Sequence, residues 1–365
     1  MAIRNVFDTI TSFETLLLAE QHSAKGKRYS NEVLQFRNNL EENILDIQKS
    51  IITMQLTRVS YRSFYVYVPK VRKVIYVDYG NKLIERAIYD VINPLVCRTF
   101  ITDTYSCIEG RGQLKAMQRL YGWLKYLSRK EKVWYYYKFD ISKFFYRMDH
   151  EILMNICKKK IDDARAVKLI RHYVCDGNIP FGLPLGADPL TITEDEMLWD
   201  KGIPIGGGLS HMLANMYMDP LDQYCKRKLG IKYYIRYMDD FIILDDSKER
   251  LHYYRSKIEQ FLDQKLQLSL NNKTALRPIR CGVEFVGCNI YPDHVNIKKQ
   301  TTLRIKRRLS VLKRDYQKYN VSLEKVSETV NSYKALLKHV DCKNFNMKLW
   351  DEFVLTHNQE ESCQG

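Results

Sequence analysis

Long apolar runs are missing from this chain of 365 residues. No stretch reaches the roughly 18–20 apolar residues that a membrane-crossing helix needs, so neither a span nor a membrane partner is expected. The N-terminal MAIRNVFDTITSFETLLLAEQ has one early Arg, then acids, and no small-residue cleavage site, which argues against a secretory leader. Paired cysteines are missing too. The nine thiols are scattered with no Cys-x-x-Cys spacing, and no His pair completes a set, so no structural zinc site is expected. An odd number of dispersed thiols suits a reducing compartment, and the expected location is cytoplasmic. Glycine and proline are few, at 16 and 9, while 45% of residues are hydrophobic; that composition forms a core and excludes a disordered chain. The length suggests two or three domains. Acids are in deficit, 43 against 58 Lys and Arg, for a net charge of +15.

What the chain does have is cations and tyrosine, 26 of the latter. Cations hold phosphates and aromatic rings stack on bases, so nucleic acid is a candidate partner, although a cytosolic protein can be basic without one. The excess is local. Residues 111–132 carry a net +6 and residues 297–318 a net +8, leaving the rest nearly neutral.

Periodicity predicts helix over 7–57, where the stretch Asn31 to Met54 carries apolar residues close to helical spacing, and again over 83–98, 113–130, 149–174, 209–226, 247–266 and 301–356. A basic turn, Lys25-Gly26-Lys27-Arg28, is either solvated or a phosphate contact. Residues 61–79 read as a hairpin around Pro69-Lys70, and 133–140 as a buried strand ending on Asp140. Residues 176–203, rich in Pro, Gly and acids, read as a long loop. Residues 233–244 read as two strands hinged on Met238-Asp239-Asp240, followed by a short strand near Leu268 and a hairpin over 283–290.

Two acidic positions stand out: Asp140 at one strand end, and the pair Asp239-Asp240 between apolar flanks. Carboxylates in apolar surroundings are costly unless compensated. If buried and convergent they suit divalent cations, since Mg²⁺ takes hard oxygen ligands from one or two carboxylates plus substrate phosphates. Two such ions about 3.5–4 Å apart can activate a 3′-hydroxyl and stabilise a leaving pyrophosphate. The alternative is a solvated hairpin turn.

These positions lie in five segments, 139–150 (FDISKFFYRMDH), 202–222 (GIPIGGGLSHMLANMYMDPLD), 236–241 (RYMDDF), 268–274 (LSLNNKT) and 284–290 (EFVGCNI). In that order and spacing they resemble the palm motifs and primer-grip element of a reverse transcriptase. The phrases AKGKR, NLEENILDIQ, DTYSCIEGRGQ and RPIRCGVEFVGCNIYPDH are similar to those of diversity-generating-retroelement and defence-associated (unknown group) reverse transcriptases. Group II introns and retrons are more distant. The chain departs from the diversity-generating pattern at Ser210-His211, where Ser-Gln is usual, at Gly206-Gly207-Gly208, and in the extra 176–203 segment.

The resemblance implies an α+β right-hand polymerase with an antiparallel palm sheet and a helical thumb. It would comprise an N-terminal helical segment (1–60), fingers (61–132), palm (133–295, with the 176–203 insertion) and thumb with C-terminal tail (296–365). It implies two Mg²⁺ ions, with Mn²⁺ as a substitute, held by Asp140, Asp239, Asp240 and the Ile141 carbonyl. Lys273 would act as a general acid on pyrophosphate. Lys70, Arg72 and Lys73 would clamp the triphosphate. Phe145 would block a ribose 2′-hydroxyl, or else is a core aromatic. Ile205 and Gly206 would line the nascent base pair, with looser fidelity where Ile205 offers no hydrogen bond. Gly287 and the thumb cations Arg304, Arg307 and Arg308 would meet nucleic acid, the helix burying Ile305, Leu309 and Leu312.

The function expected is RNA-directed DNA synthesis from dNTPs, making cDNA for a bacterial or phage retroelement or an antiphage defence system. The chain ends soon after the predicted thumb, so a structured non-coding RNA and an accessory protein are expected partners beside the RNA template and DNA product. Two alternatives are a template-independent or protein-primed polymerase of the same fold and a non-catalytic nucleic-acid-binding module. The intact acids argue against the second.

Overall fold

The computed structural model describes residues 3–66, 72–271 and 275–356, without the side chains of 65, 66 and 72–74. In chain order the elements begin with strand β1 (Ile3–Arg4), helices α1 (Phe7–Ile10), α2 (Phe13–Ala24), α3 (Asn31–Asn38) and α4 (Leu40–Ile52), strands β2 (Tyr61–Val66) and β3 (Arg72–Val77), and helices α5 (Tyr79–Cys97) and α6 (Gln113–Leu127). Next come β4 (Tyr135–Phe139), α7 (Phe144–Arg147), α8 (His150–Lys160), β5 (Ile161–Asp162), α9 (Ala164–Cys175) and α10 (Gly208–Gln223). The hairpin β6 (Tyr233–Tyr237) and β7 (Asp240–Asp245) precedes α11 (Lys248–Leu266), β8 (Ala275–Pro278), β9 (Val283–Phe285), β10 (Cys288–Ile290), β11 (Val295–Ile297), α12 (Lys299–Gln317), α13 (Leu323–Leu337) and α14 (Lys343–Asp351). The architecture is α+β, as the sequence predicts. A four-stranded sheet has the order β6-β7-β4-β8, with β4 and β8 antiparallel.

Two compact units form within the chain. The first lies within residues 1–110, 139–241 and 252–274. Four of its helices start on side-chain caps that satisfy otherwise orphaned N–H groups: Ser12 for α2, Asp78 for α5, Asp149 for α8 and Asp163 for α9. Helix α5 buries Leu83, Ile84, Ala87, Ile88, Ile92 and Val96 along one stripe. Helix α10 is buried on nearly every side, from Leu209 to Asp222, as the centre of its unit. The hairpin of β2 and β3 is antiparallel, with Tyr61 opposite Val77.

The second unit lies within 111–138, 242–251 and 275–365. It holds the antiparallel sheet β11-β10-β9 and the helices α12 to α14. Between β9 and β10, Val286 and Gly287 both take positive φ, 44° and 82°, which a tight two-residue hairpin requires. Helix α12 buries Ile305, Leu309 and Leu312 and leaves Arg304, Arg307 and Arg308 exposed.

Several expectations need correction: the helical stretch expected over 149–174 is α8 and α9 with β5 between them, and that over 301–356 is the three helices α12, α13 and α14. The helical stretch expected over 31–54 is two helices, because Asn39 leaves helical geometry at φ −128° and ψ 51°. Near Leu268 the strand reduces to one isolated bridge, Ile141 with Leu270. The strands β1, β5, β8 and β11 were not expected. The 176–203 segment is a loop, as expected, but an anchored one: Gly182 pairs with Leu198, and Asp149 bridges Lys201. Among the described residues no helix is long and apolar enough to cross a membrane.

Candidate active site

Local structure brings the three acids together in the first unit. Strand β4 ends at Phe139 and Asp140 follows it. Asp239 sits in the two-residue turn before β7, and Asp240 opens that strand. The Phe139 and Phe241 rings stack at 4.7 Å between centroids, which holds the two strand ends side by side. All three acids are half-buried.

Their proximity appears in the charge state of Asp239. Burial pushes its carboxyl up to about 6, the neighbouring Asp240 and Asp140 charges push it the same way, and a backbone hydrogen bond and Arg236 oppose them. A site that raises a carboxyl in this way accumulates negative charge that a divalent cation would relieve, so the donor set fits such a metal. Among the described residues no three His, Cys, Asp or Glu side chains form a complete metal cage. Mg²⁺ in phosphoryl transfer needs none, because substrate phosphates complete its shell.

Residues beneath the acids fix their positions. Asn271 donates from its backbone N–H to the Asp140 carbonyl at 2.7 Å and from Nδ2 to Asp140 Oδ2 at 3.1 Å. Under the turn lies a fully buried ion pair. Arg236 donates from Nε to Asp222 Oδ1 at 2.8 Å and from Nη2 to Oδ2 at 2.7 Å, both side chains being 0% exposed. Arg236 Nη1 donates to the Met238 carbonyl at 2.7 Å and to Asn215 Oδ1 at 3.1 Å. Met238 is held at φ 60°, a left-handed conformation that a non-glycine residue keeps only when its surroundings impose it. The Asp222 carboxylate also accepts from the Tyr234 hydroxyl at 2.6 Å and the Thr104 hydroxyl at 2.8 Å, so its lone pairs are well used.

Other sequence-predicted residues are placed as follows. Ile141 is buried at 2% exposure. Phe144 is the core ring and packs towards Tyr217, whereas Phe145 is half-buried and meets His211 edge-on at 5.9 Å. The two rings touch edge-on at 5.4 Å between centroids, Phe144 being the buried one and Phe145 the half-buried one. Ile205 and Gly206 lie in the loop before α10, and Gly206 takes φ 126°, open to glycine and few others. Arg304, Arg307, Arg308 and Gly287 belong to the second unit. Lys70 and Lys273 lie outside the described residues, as do the side chains of Arg72 and Lys73. Asn271, Arg236, Asp222 and His211 were missed from sequence.

Stability should report the strained charge of Asp239. A carboxyl raised from 3.8 to about 6 holds its proton longer when folded, so the folded state loses stability as pH rises through that window and not below it. Asp239→Asn should therefore stabilise the metal-free protein above pH 6 by at most about 3 kcal/mol, with no gain at pH 3.5. Urea unfolding in EDTA at the two pH values measures this; an equal effect at both would contradict it.

Comparison with known proteins agrees with the geometry. Residues 68–290 match the family described as reverse transcriptase (RNA-dependent DNA polymerase). Protein YkfC of Escherichia coli (strain K12) is 24% identical over 259 residues, 61% of this chain and 65% of that protein, which is less than two thirds of its length. Telomerase from Candida tropicalis, in complex with a fragment of telomeric RNA, superposes with a TM-score of 0.52 at 13% identity, over 80% of this chain and 56% of that one. Its apo form gives 0.50 at 12% identity, over 84% and 65%. At such identities the likeness is one of fold, with the mixed helices and antiparallel sheet of that class.

Proposed function

This chain belongs to the reverse transcriptase (RNA-dependent DNA polymerase) family, and from that premise we propose that it copies an RNA template into DNA from dNTPs. The observation that carries the proposal is the meeting of Asp140, Asp239 and Asp240 at adjoining strand ends, with Asp239 raised to about 6 by burial and by its acidic neighbours. In this reading Asp140, Asp239, Asp240 and the Ile141 carbonyl hold two Mg²⁺ ions, or Mn²⁺. When bound, the ions activate the primer 3′-hydroxyl and neutralise charge on the leaving pyrophosphate. Asn271 keeps the Asp140 carboxylate turned to the site, and Arg236 holds the turn that presents Asp239. Lys273 supplies a proton to pyrophosphate, and Lys70, Arg72 and Lys73 bind the triphosphate. Ile205 and Gly206 line the nascent base pair, and Gly287 with Arg304, Arg307 and Arg308 meets the duplex.

The same proposal divides the chain into an N-terminal segment (1–60), fingers (61–132), palm (133–295) and thumb (296–365). The biological setting proposed is a bacterial or phage retroelement or antiphage defence system, working with a structured non-coding RNA and an accessory protein. Extension of a DNA primer on a defined RNA, compared with reactions lacking template or primer, tests the reading. Product complementary to the RNA supports it. Product made equally without template would replace it with a template-independent polymerase of the same fold.

Phe145 gives a second handle. Its ring rests against His211, whose imidazole burial keeps neutral near pH 7, so it is a fixed wall. Phe145→Val is expected to raise the kcat/KM of ribonucleotides relative to deoxyribonucleotides by roughly 10–100-fold, measured by competition between rATP and dATP. An unchanged ratio would remove Phe145 from the sugar site.

A further inference from the structure

Helix α6, in the second unit, carries a pattern that the chemistry above leaves unused. Its buried side is Ala116, Met117, Leu120, Leu124 and Leu127. The helix packs on β10, the middle strand of the sheet β11-β10-β9, so it covers a face of that sheet and does not extend its edge. The Tyr121 hydroxyl donates to the Asp293 carbonyl at 3.1 Å and fixes α6 beside the turn between β10 and β11. The outward side of α6 therefore stands about a helix diameter, roughly 10 Å, off the sheet.

Rings and cations share that outward side. Arg119, Trp123, Tyr126 and Lys130 follow one another by four, three and four residues, which stacks them in one row. The Arg119 guanidinium lies over the Trp123 ring, 4.9 Å from its centroid, and the Lys130 ammonium over the Tyr126 ring at 4.7 Å. Tyr126 is 52% exposed. Lys115, Lys125 and Arg129 are exposed beside the row, and Glu131 is the one acid among residues 111–132. A merely solvated helix mixes signs, because acid–base pairs one turn apart stabilise it. Gly122 sits within the row, between Arg119 and Tyr126, where a glycine weakens a helix relative to alanine. Nothing lies within 4 Å of where its Cβ would stand, so packing inside the protein does not require it. It leaves a flat place where another chain can lie against the helix backbone.

We infer that the outward side of α6 is a platform for a single-stranded stretch of RNA. Bases stack on Tyr126 and on the layer formed by Arg119 and Trp123, and Lys125, Arg129 and Lys130 hold the phosphates. The charges call for a polyanion and the rings call for unpaired bases, which a duplex keeps stacked inside itself. A membrane surface or an acidic peptide would answer the charges and leave the ring row and Gly122 without a role. The outward side faces away from the sheet that carries Gly287, so the stretch bound here lies outside the primer–template duplex. That the strand is RNA rests on the polymerase reading, in which RNA is the strand left unpaired.

Fluorescence anisotropy with the full chain in EDTA, where no synthesis occurs, measures binding of a short oligouridylate and of an RNA duplex of the same length. Tyr126→Ala should weaken the single strand about tenfold and leave the duplex unchanged. Gly122→Glu, a change into open space that folding tolerates, should weaken the single strand at least about tenfold. Replacing Lys125, Arg129 and Lys130 together by Gln should flatten the slope of log K against log salt by about 2. Single-strand binding that is unchanged in all three variants, or an equal loss for the duplex in Tyr126→Ala, overturns the platform. Ultraviolet crosslinking of the nucleic acid that co-purifies with the full chain should leave a ribonucleotide, identified by mass, on the peptide holding Trp123 and Tyr126; a deoxyribonucleotide there overturns the assignment to RNA. A wild type that extends primers, with α6 variants that bind the single strand as wild type does, sinks the platform and leaves the polymerase reading intact. Variants that lose the strand in a protein that makes no DNA fail the polymerase reading and leave the platform standing.

Discussion

Arg236→Ala is expected to lower the unfolding free energy by about 3–5 kcal/mol, a large part of the roughly 5–15 kcal/mol that holds a domain together. The guanidinium and the Asp222 carboxylate are both 0% exposed and joined by three hydrogen bonds of 2.7 to 3.0 Å. Removing one partner leaves a charge with no water to turn to. Asp222→Ala should cost a comparable amount for the same reason. The double variant Arg236→Met/Asp222→Leu removes both charges together and should recover at least half of the loss, because a buried ion pair adds little over apolar groups of similar size. It should still synthesise poorly, since nothing then holds the Met238 carbonyl that Arg236 anchors at 2.7 Å. Urea unfolding followed by circular dichroism measures the four states. A single variant within about 1 kcal/mol of wild type would show that the pair is not buried as described.

Asp140→Asn and Asp239→Asn should each lower the single-turnover rate of nucleotide addition by at least about 10³-fold, or roughly 4 kcal/mol of transition-state stabilisation. Neither loss should come from unfolding. Asp239→Asn relieves a carboxyl that burial and two acidic neighbours have already raised to about 6, so above that pH the folded protein gains stability as it loses activity. Asn271→Ala should cost less, about 10–100-fold, because it orients Asp140 through one side-chain bond of 3.1 Å and supplies no ligand itself. Raising Mg²⁺ should recover part of the Asn271→Ala defect and none of the Asp239→Asn defect. Equal recovery of both would mean that Asp239 only shapes the metal site.

The hairpin carrying Asp239 and Asp240 was legible because β-branched and aromatic residues flank a two-residue turn, a pattern few other structures share. Asp140 was legible for a similar reason, as the acid that ends an apolar strand. The support beneath them was not. An arginine in a strand reads as a surface residue, and its partner Asp222 lies on α10, where no periodicity marks it as buried. Asn39 escaped notice because the apolar spacing runs through it from Phe36 to Ile44, so the break is a matter of local backbone geometry and not of pattern. The short strands β8 and β11 hold three or four residues each, too few for a period of two to show. A cavity around Glu85 gathers residues from the 25–30 turn, α3, β2, β3, α5, the 204–207 loop and α10, an assembly visible only once the chain has folded.

The proposed copying of RNA into DNA by acids at two strand ends meets its most direct test in primer extension on an RNA template. A labelled DNA primer is annealed to an RNA of known sequence and extended with dNTPs and Mg²⁺ by wild type and by Asp239→Asn, at equal concentration and confirmed folding. Wild type should yield full-length product whose sequence is the complement of the RNA, and Asp239→Asn should yield at least about 10³-fold less. Complementary product made equally well by both proteins would contradict the account.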